Sequence, residues 1–253
     1  MLTSPDKAGE HFLMDSYKST AQLKGIAKEK SLGKYGTLIG ANVIIFAIQL
    51  IVSALTTVST SGSIIFVIIN DLITIIVNIL VGLLVSGKAY LYMNLLYSQP
   101  VSTSDIFFGL RQQPQKAVVI QSVFVLVDFL VSLPAQIILI LYSNSPSDSL
   151  MTAMIFTLAL ALVINVYVSL VYSQSFFILH DFPDRSAKEI LSTSRHLMAG
   201  NKFRLLYLNV SFLPLYLLGC VTMFIPLLWV GVYRYATTCA FYQDLIANAA
   251  KER

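Results

Sequence analysis

Four apolar runs, near residues 37 to 58, 64 to 86, 117 to 142 and 150 to 179, constrain this chain more than any other feature. A bilayer core about 30 Å thick is crossed by about 20 mostly apolar residues in helical form. Within lipid the backbone has to satisfy its own hydrogen bonds, which a helix does. A fifth tract, 205 to 246, is too long for one span and holds Gly219 between Pro214 and Pro226. A tight helical hairpin accommodates it, so the count becomes six. The expected fold class is all-α, a polytopic transmembrane helical bundle. Only 12% of the 253 residues are charged, where a soluble domain carries roughly a quarter.

The positions of the cations test that count, because short cytoplasmic loops collect Lys and Arg. Lys7 to Lys34 precede the first span; Lys88, Arg111 and Lys116 surround the second loop; Arg185 to Arg204 fill the fourth; Arg234, Lys251 and Arg253 follow the hairpin. The opposite loops, near 59 to 62, 143 to 149 and 219 to 223, hold a single charge, Asp148. With six spans the pattern predicts that both termini are cytoplasmic. The division is a polar tail over 1–18, a membrane domain over 19–246 and a short tail over 247–253. No short apolar core with a cleavage site precedes the first span, which is expected to serve as its own insertion signal. Topology accounts for the formal charge of +4 and the pI near 9.0, so no nucleic-acid partner is expected.

The three stretches leading into spans one, three and five are alike: STAQLKGIAKEKSLGKYG, STSDIFFGLRQQPQKA and SAKEILSTSRHLMAGNKFR. Each begins with Ser or Thr, runs amphipathically for about three turns, and reaches a lysine, Lys34, Lys116 or Lys202, where a span starts. Ser186 with Glu189 has the capping-box spacing that marks a helix start. The unit is an interfacial helix plus a membrane hairpin, expected three times. Such helices can lie in the headgroup layer with basic side chains on anionic lipid; the alternative is that they only connect spans. The lipid-headgroup candidates are Lys24, Lys28, Lys34, Lys202 and Arg204.

Several of these residues carry a resemblance. Leu23, Lys24, Ala27, Lys28, Leu32, Gly33, Lys34, Tyr35, Gly36 and Ile39 form one group. Leu197, Met198, Gly200, Asn201, Lys202, Arg204 and Leu205 form a second, and Trp229, Tyr233, Ala236, Phe241 and Tyr242 a third. The chain resembles, from about residue 20 to 246, a bacterial family of six-helix integral membrane proteins catalogued as domain of unknown function 975. Val232 stands where the family pattern is expected to have Pro before the Tyr of the last helix. The resemblance implies a bacterial, often Gram-positive, cytoplasmic membrane and carries over no catalytic residue.

Every long span also bears a polar stripe at helical spacing. Asn42, Gln49, Ser53 and Thr56 mark the first, and Asp71, Thr74, Asn78 and Gly82 the second; Gln121, Asp128 and Ser132 mark the third, and Thr157, Ala161, Asn165, Ser169 and Ser173 the fourth. Stripes of this kind pack helices together or line a wet path. Counted from the opposite ends, Asp71 is about 10 Å deep, Arg234 about 15 Å and Asp128 about 20 Å. An intramembrane charge needs a partner or a purpose, so Asp71, Asn78, Asp128 and Arg234 are the intramembrane candidates. The expected arrangement is Arg234 facing Asp128 or Asp71. Pro134 is expected to kink the third span.

Catalytic chemistry is not legible. His11, His180 and His196 have no metal-ligand spacing, no nucleotide-binding or nucleophile-elbow pattern occurs, and no histidine is expected inside a span. Cys220 and Cys239 are expected to lie about 25 Å apart in depth and unpaired. No metal or cofactor is expected, and the chain is not expected to be an enzyme. Two functions stay open: a partner- or lipid-binding accessory protein of the cell membrane, and a small transporter or channel, possibly dimeric, that uses the intramembrane acids. An intramembrane enzyme is disfavoured. The partners expected are the lipid bilayer, anionic lipid or another membrane protein.

Overall fold

The computed structural model describes residues 17–56 and 64–251 and is all-helical over them. The uncharged loop near 59 to 62, most of the N-terminal tail and His11 lie outside the described residues. Among the described residues five helical stretches are long and apolar enough to cross a membrane: Tyr35–Ala54, Ile68–Leu96, Pro114–Asn144, Asp148–Asp181 and Lys202–Val221. The expected sixth, helix Leu227–Lys251, falls outside that class because it carries Arg234, Asp244 and Lys251. It is instead largely enclosed beyond its first turns: Val232, Ala236, Thr237, Cys239 and Tyr242 are fully buried by protein. A helix sheathed by its neighbours has no need of an apolar exterior.

In chain order the elements are α1 Thr20–Ser31, α2 Tyr35–Thr56, α3 Ile64–Leu96, a 3₁₀ turn Thr103–Phe107 with the one-turn α4 Phe108–Arg111, α5 Pro114–Asn144 and α6 Asp148–Val171. Then come α7 Ser175–Asp181, α8 Ala187–Leu197, α9 Lys202–Val210, α10 Leu213–Val221 and α11 Leu227–Lys251. Contacts descend one helix while they climb the next, as in Asp128 with Asn165 and Phe124 with Tyr172. So α5 and α6 form an antiparallel hairpin. The pairs Arg204–Asp244 and Arg234–Asn209 show the same for α9–α10 against α11. The reversal in that hairpin lies at 222–226, where Met223 and Phe224 take φ of 61° and 64°. Gly219 is not the turn. Its missing side chain admits Leu227, whose Cδ2 would be 2.2 Å from an added Cβ.

Capping explains where the short helices begin. The Ser19 hydroxyl accepts from the Gln22 amide while Gln22 reaches back to the Ser19 amide, and Ser186 with Glu189 does likewise. Ser102 with Asp105 makes the same exchange at the 3₁₀ turn. Each satisfies two of the donors that a helix start leaves free. The second approach therefore has the cap but not the expected three-turn helix: after one 3₁₀ turn and one α turn the chain breaks at Gln112, ahead of Pro114. A left-handed residue precedes each following span: Gly33 (φ 74°), Gln113 (φ 51°) and Gly200 (φ 80°). Glycine takes this conformation without strain. Gln113 is held there by its amide, which donates to the Pro183 carbonyl at 2.8 Å.

The broken second approach is wedged against α3 backbone to backbone. A Cβ on Gly87 would lie 1.8 Å from the Ile106 carbonyl oxygen, and one on Gly109 2.2 Å from that of Leu83. Around this wedge is the protein's core. Leu23, Ala27, Leu91, Tyr92, Leu95, Ile106, Ile120, Ile178, Ile190, Phe212 and Phe241 belong to one cluster, all at or near zero exposure. The apolar face of α1 is thus buried on protein, mainly against α11, rather than turned to lipid. Toward the other end of the spans Ile68, Leu72, Ile76, Leu130, Phe156 and Leu162 are exposed. Pro134 lies within α5, which is helical without a break from Pro114 to Asn144.

Candidate functional site around Arg204 and Asp244

The most heavily hydrogen-bonded polar group sits at the packed end, where the segment before α1, the start of α9 and the last third of α11 meet. Asp244 is almost fully buried. Its carboxylate accepts from the Lys18 amide with both oxygens at 3.2 Å, from Arg204 at 3.2 Å and from the Asn248 amide at 3.3 Å. Arg204 donates further to Asn201 Oδ1 at 2.9 Å and to the Lys18 carbonyl at 3.1 Å. Its guanidinium lies 4.2 Å from the Tyr17 ring centre and 5.2 Å from that of Phe241. A planar, multi-donor cation can bond in its plane while it also meets aromatic rings. This is the only ion pair among the described residues. Beside it opens a cavity of about 510 Å³, lined among others by Lys18, Thr20, Phe203, Arg204 and Tyr207.

A second polar seam ties α3, α7 and α11. The Tyr242 hydroxyl donates to Asp181 at 2.8 Å, and Lys88 lies 4.5 Å from the Tyr235 ring centre. The Asn42 amide donates to the Tyr92 hydroxyl at 2.8 Å, and Tyr90 stacks on Phe108 at 3.6 Å. His180 Nε2 is 3.1 Å from Ser86 Oγ and 2.8 Å from the Ser86 carbonyl oxygen. This corrects the expectation that no histidine lies in a span, since 180 falls within Asp148–Asp181. A carbonyl oxygen can only accept, so Nε2 carries the proton in this geometry and has no lone pair with which to activate Ser86. Among the described residues no cluster of His, Cys, Asp and Glu suits a metal ion, and Cys220 and Cys239 are free thiols.

The intramembrane candidates are not brought together as expected. Asp128 is exposed and accepts from the Asn165 amide at 2.8 Å, while Arg234, also exposed, donates to Asn209 at 3.3 Å. The two charges face different helices, α6 and α9, because the hairpin α9–α11 presents Arg234 to its own partner strand of helix. Asp71 is half-buried, with no hydrogen bond or ion pair among the described residues. Asn78 donates to the Thr74 carbonyl at 2.9 Å, and its own carbonyl accepts from Gln121 at 3.4 Å.

Three of the five headgroup candidates are engaged by the protein. Lys24 donates to the Ser211 carbonyl at 3.1 Å and lies 4.2 Å from the Phe212 ring centre, at the break between α9 and α10. Burial holds its ammonium below the ordinary lysine value. Lys202 bonds the Tyr167 hydroxyl at 3.3 Å, and Arg204 belongs to the ion pair. Lys28 is exposed and Lys34 half-buried. Asp244 went unnoticed in the sequence because it sits in a helix with Arg234 nearer the expected depth. The signal available was an acid flanked by Tyr242 and Leu245, with Asn248 one turn further on.

Fold and site together define an all-helical protein with membrane-length apolar helices, closed at one end by a polar, aromatic-rich core. The chain belongs to the family described as Protein of unknown function (DUF975), whose model matches residues 14–249. Neither a curated protein nor a solved structure matches it.

Proposed function

We propose that this chain is a six-span protein of the bacterial cytoplasmic membrane, with both termini in the cytoplasm, that works without catalysis by binding lipid or another membrane protein at its cytoplasmic end. The observation that carries this reading is the concentration of structure and cations at one end. Arg204, Lys18, Lys24 and Lys202 all surround the packed end, whereas the opposite loops hold one charge, Asp148. The antiparallel pairing of α11 with α9 and α10 supports the sixth span. Threefold repetition is supported by caps at Ser19, Ser102 and Ser186, which are 83 and 84 residues apart, each followed by a left-handed residue before a span. The engagement of His180 Nε2 by a carbonyl favours a non-enzymatic role.

Topology reporters test the arrangement. Those at Ser145 and Thr222 are expected outside, and those at Gln99, Ser186 and the C-terminus inside. A C-terminal reporter found outside removes the sixth span and with it the cytoplasmic placement of Asp244. A small transporter or channel is favoured by one observation, an exposed Asp128 held by a single amide. That reading predicts a pH-dependent flux in proteoliposomes that Asp128→Asn abolishes.

A further inference from the structure

We propose that the cavity beside the Arg204–Asp244 pair binds the headgroup of an anionic glycerophospholipid, with the acyl chains running down the outside of α9. The inference rests on the cytoplasmic-end reading above and assigns it a place and a ligand. The cavity, about 510 Å³, is of the size that small-molecule sites occupy, and no acid lines it. Asp244 is close by but nearly fully buried, with both oxygens accepting from protein. Arg204 is balanced by that acid. The net positive character of the cavity therefore comes from the exposed Lys18 ammonium and from the first turn of the twelve-residue α1, which begins at Thr20. Charge complementarity thus selects an anion.

The other walls select a lipid over a small soluble anion. Phe203 and Tyr207 line the cavity and are 81% and 67% exposed, on the first two turns of the apolar stretch Lys202–Val221. Aromatic side chains at the end of a span are characteristic of the headgroup level. From there Val210, Leu213 and Leu217 continue the exposed apolar surface along the same stretch. A soluble phosphate would use the cationic corner and leave that surface uncovered; a phospholipid covers both.

The test uses the full chain purified in a neutral detergent and titrated, in mixed micelles, with phosphatidylglycerol, with phosphatidylcholine or with inorganic phosphate. Retained lipid is counted by native mass spectrometry. Phosphatidylglycerol is expected to be retained in preference to phosphatidylcholine and not to be displaced by millimolar phosphate. A basic residue near an anionic surface is worth enough for Lys18→Ala to weaken retention about fivefold. Lys18 enters the fold through its backbone, so Tm without lipid should stay at the wild-type value. Tyr207→Ser and Phe203→Ser, both of exposed rings, should weaken retention as well, and Lys188→Ala, exposed on α8 and away from the cavity, should not. Equal retention of both lipids, or displacement by phosphate, overturns the proposal. Selective retention that survives Lys18→Ala, Tyr207→Ser and Phe203→Ser overturns the site while leaving the cytoplasmic-end reading intact. The topology reporters decide that reading independently.

Discussion

The two halves of α3 have opposite surroundings. From Leu83 to Leu96 nearly every large side chain is buried against α1, α7, α11 or the wedge around Ile106, whereas Ile68, Leu72, Ile76 and Leu80 are each more than half exposed. Both halves are rich in large apolar side chains, but the packed half also holds Ser86, Gly87, Lys88, Tyr90 and Tyr92. At one end hydrophobic side chains meet other protein segments and interlock, with glycine admitting backbone against backbone. At the other end they form an apolar surface left exposed by the described residues. Helices in lipid gain nothing from merely hiding apolar atoms from each other, since lipid tails are as apolar as leucine. Tight packing therefore appears where the small residues and hydrogen-bonding side chains are.

The strongest way to break this contrast is Gly87→Ala. A methyl group 1.8 Å from the Ile106 carbonyl oxygen forces the wedge off α3. Overpacking a close contact costs about 1–3 kcal/mol and more where backbone has to move. The folded yield in detergent should collapse, while Gly36→Ala, whose new methyl meets nothing within 4 Å, should leave it intact. A Gly87→Ala protein with wild-type Tm removes the wedge from the fold.

Next in size is the charge comparison. Asp244→Asn strands Arg204 against a neutral amide, and breaking a buried pair costs about 3–5 kcal/mol, less here because Arg204 is 30% exposed. Asp128→Asn should leave Tm unchanged or raise it, since the Asn165 amide can donate to an amide oxygen as well. Thermal melts of the two variants read the difference directly. Because Asp128 and Arg234 have separate partners, Asp128→Asn and Arg234→Gln should add in a double-mutant cycle; a coupling above 1 kcal/mol by that cycle restores the pair.

Leu23→Ala, at the packed end, should cost about 2–5 kcal/mol. Ile76→Ala faces outward on the open end and should change the detergent Tm by much less; equal losses would mean that both ends are packed alike.

The smallest effect concerns the cap of α8. The Ser186 amide and hydroxyl hold the exposed Glu189 carboxyl below the ordinary value of 4.5. A lowered carboxyl contributes stability that is complete above that ordinary value and is lost as pH falls through the folded value. Between those limits wild type should lose a small increment of stability that Glu189→Gln does not, as melts at stepped acidic pH would show.

Hydrophobic run length and charge asymmetry were sufficient to read long apolar helices, a hairpin at 205–246 and the helix start at Ser186. These properties are local or nearly so: one helix's worth of composition decides them, and a capping box needs only four residues. Local pattern also located the polar stripes, yet it could not decide which stripes face each other. Depth alone matched Asp128 with Arg234, but rotation about the helix axis is set by the neighbours, and it turned one toward Asn165 and the other toward Asn209. The same limit applies to the approach helices. Their amphipathic faces were legible, but whether lipid or protein covers them depends on segments more than a hundred residues away, and α11 covers α1. Asp244 became the centre of a site only because Lys18, Arg204 and Asn248 converge on it across separations of 226, 40 and 4 residues. Composition determined the solvent this chain is built for; the rotation and convergence of its helices, set by close packing at Gly87 and Gly109 and by one charge pair, decided which polar groups meet.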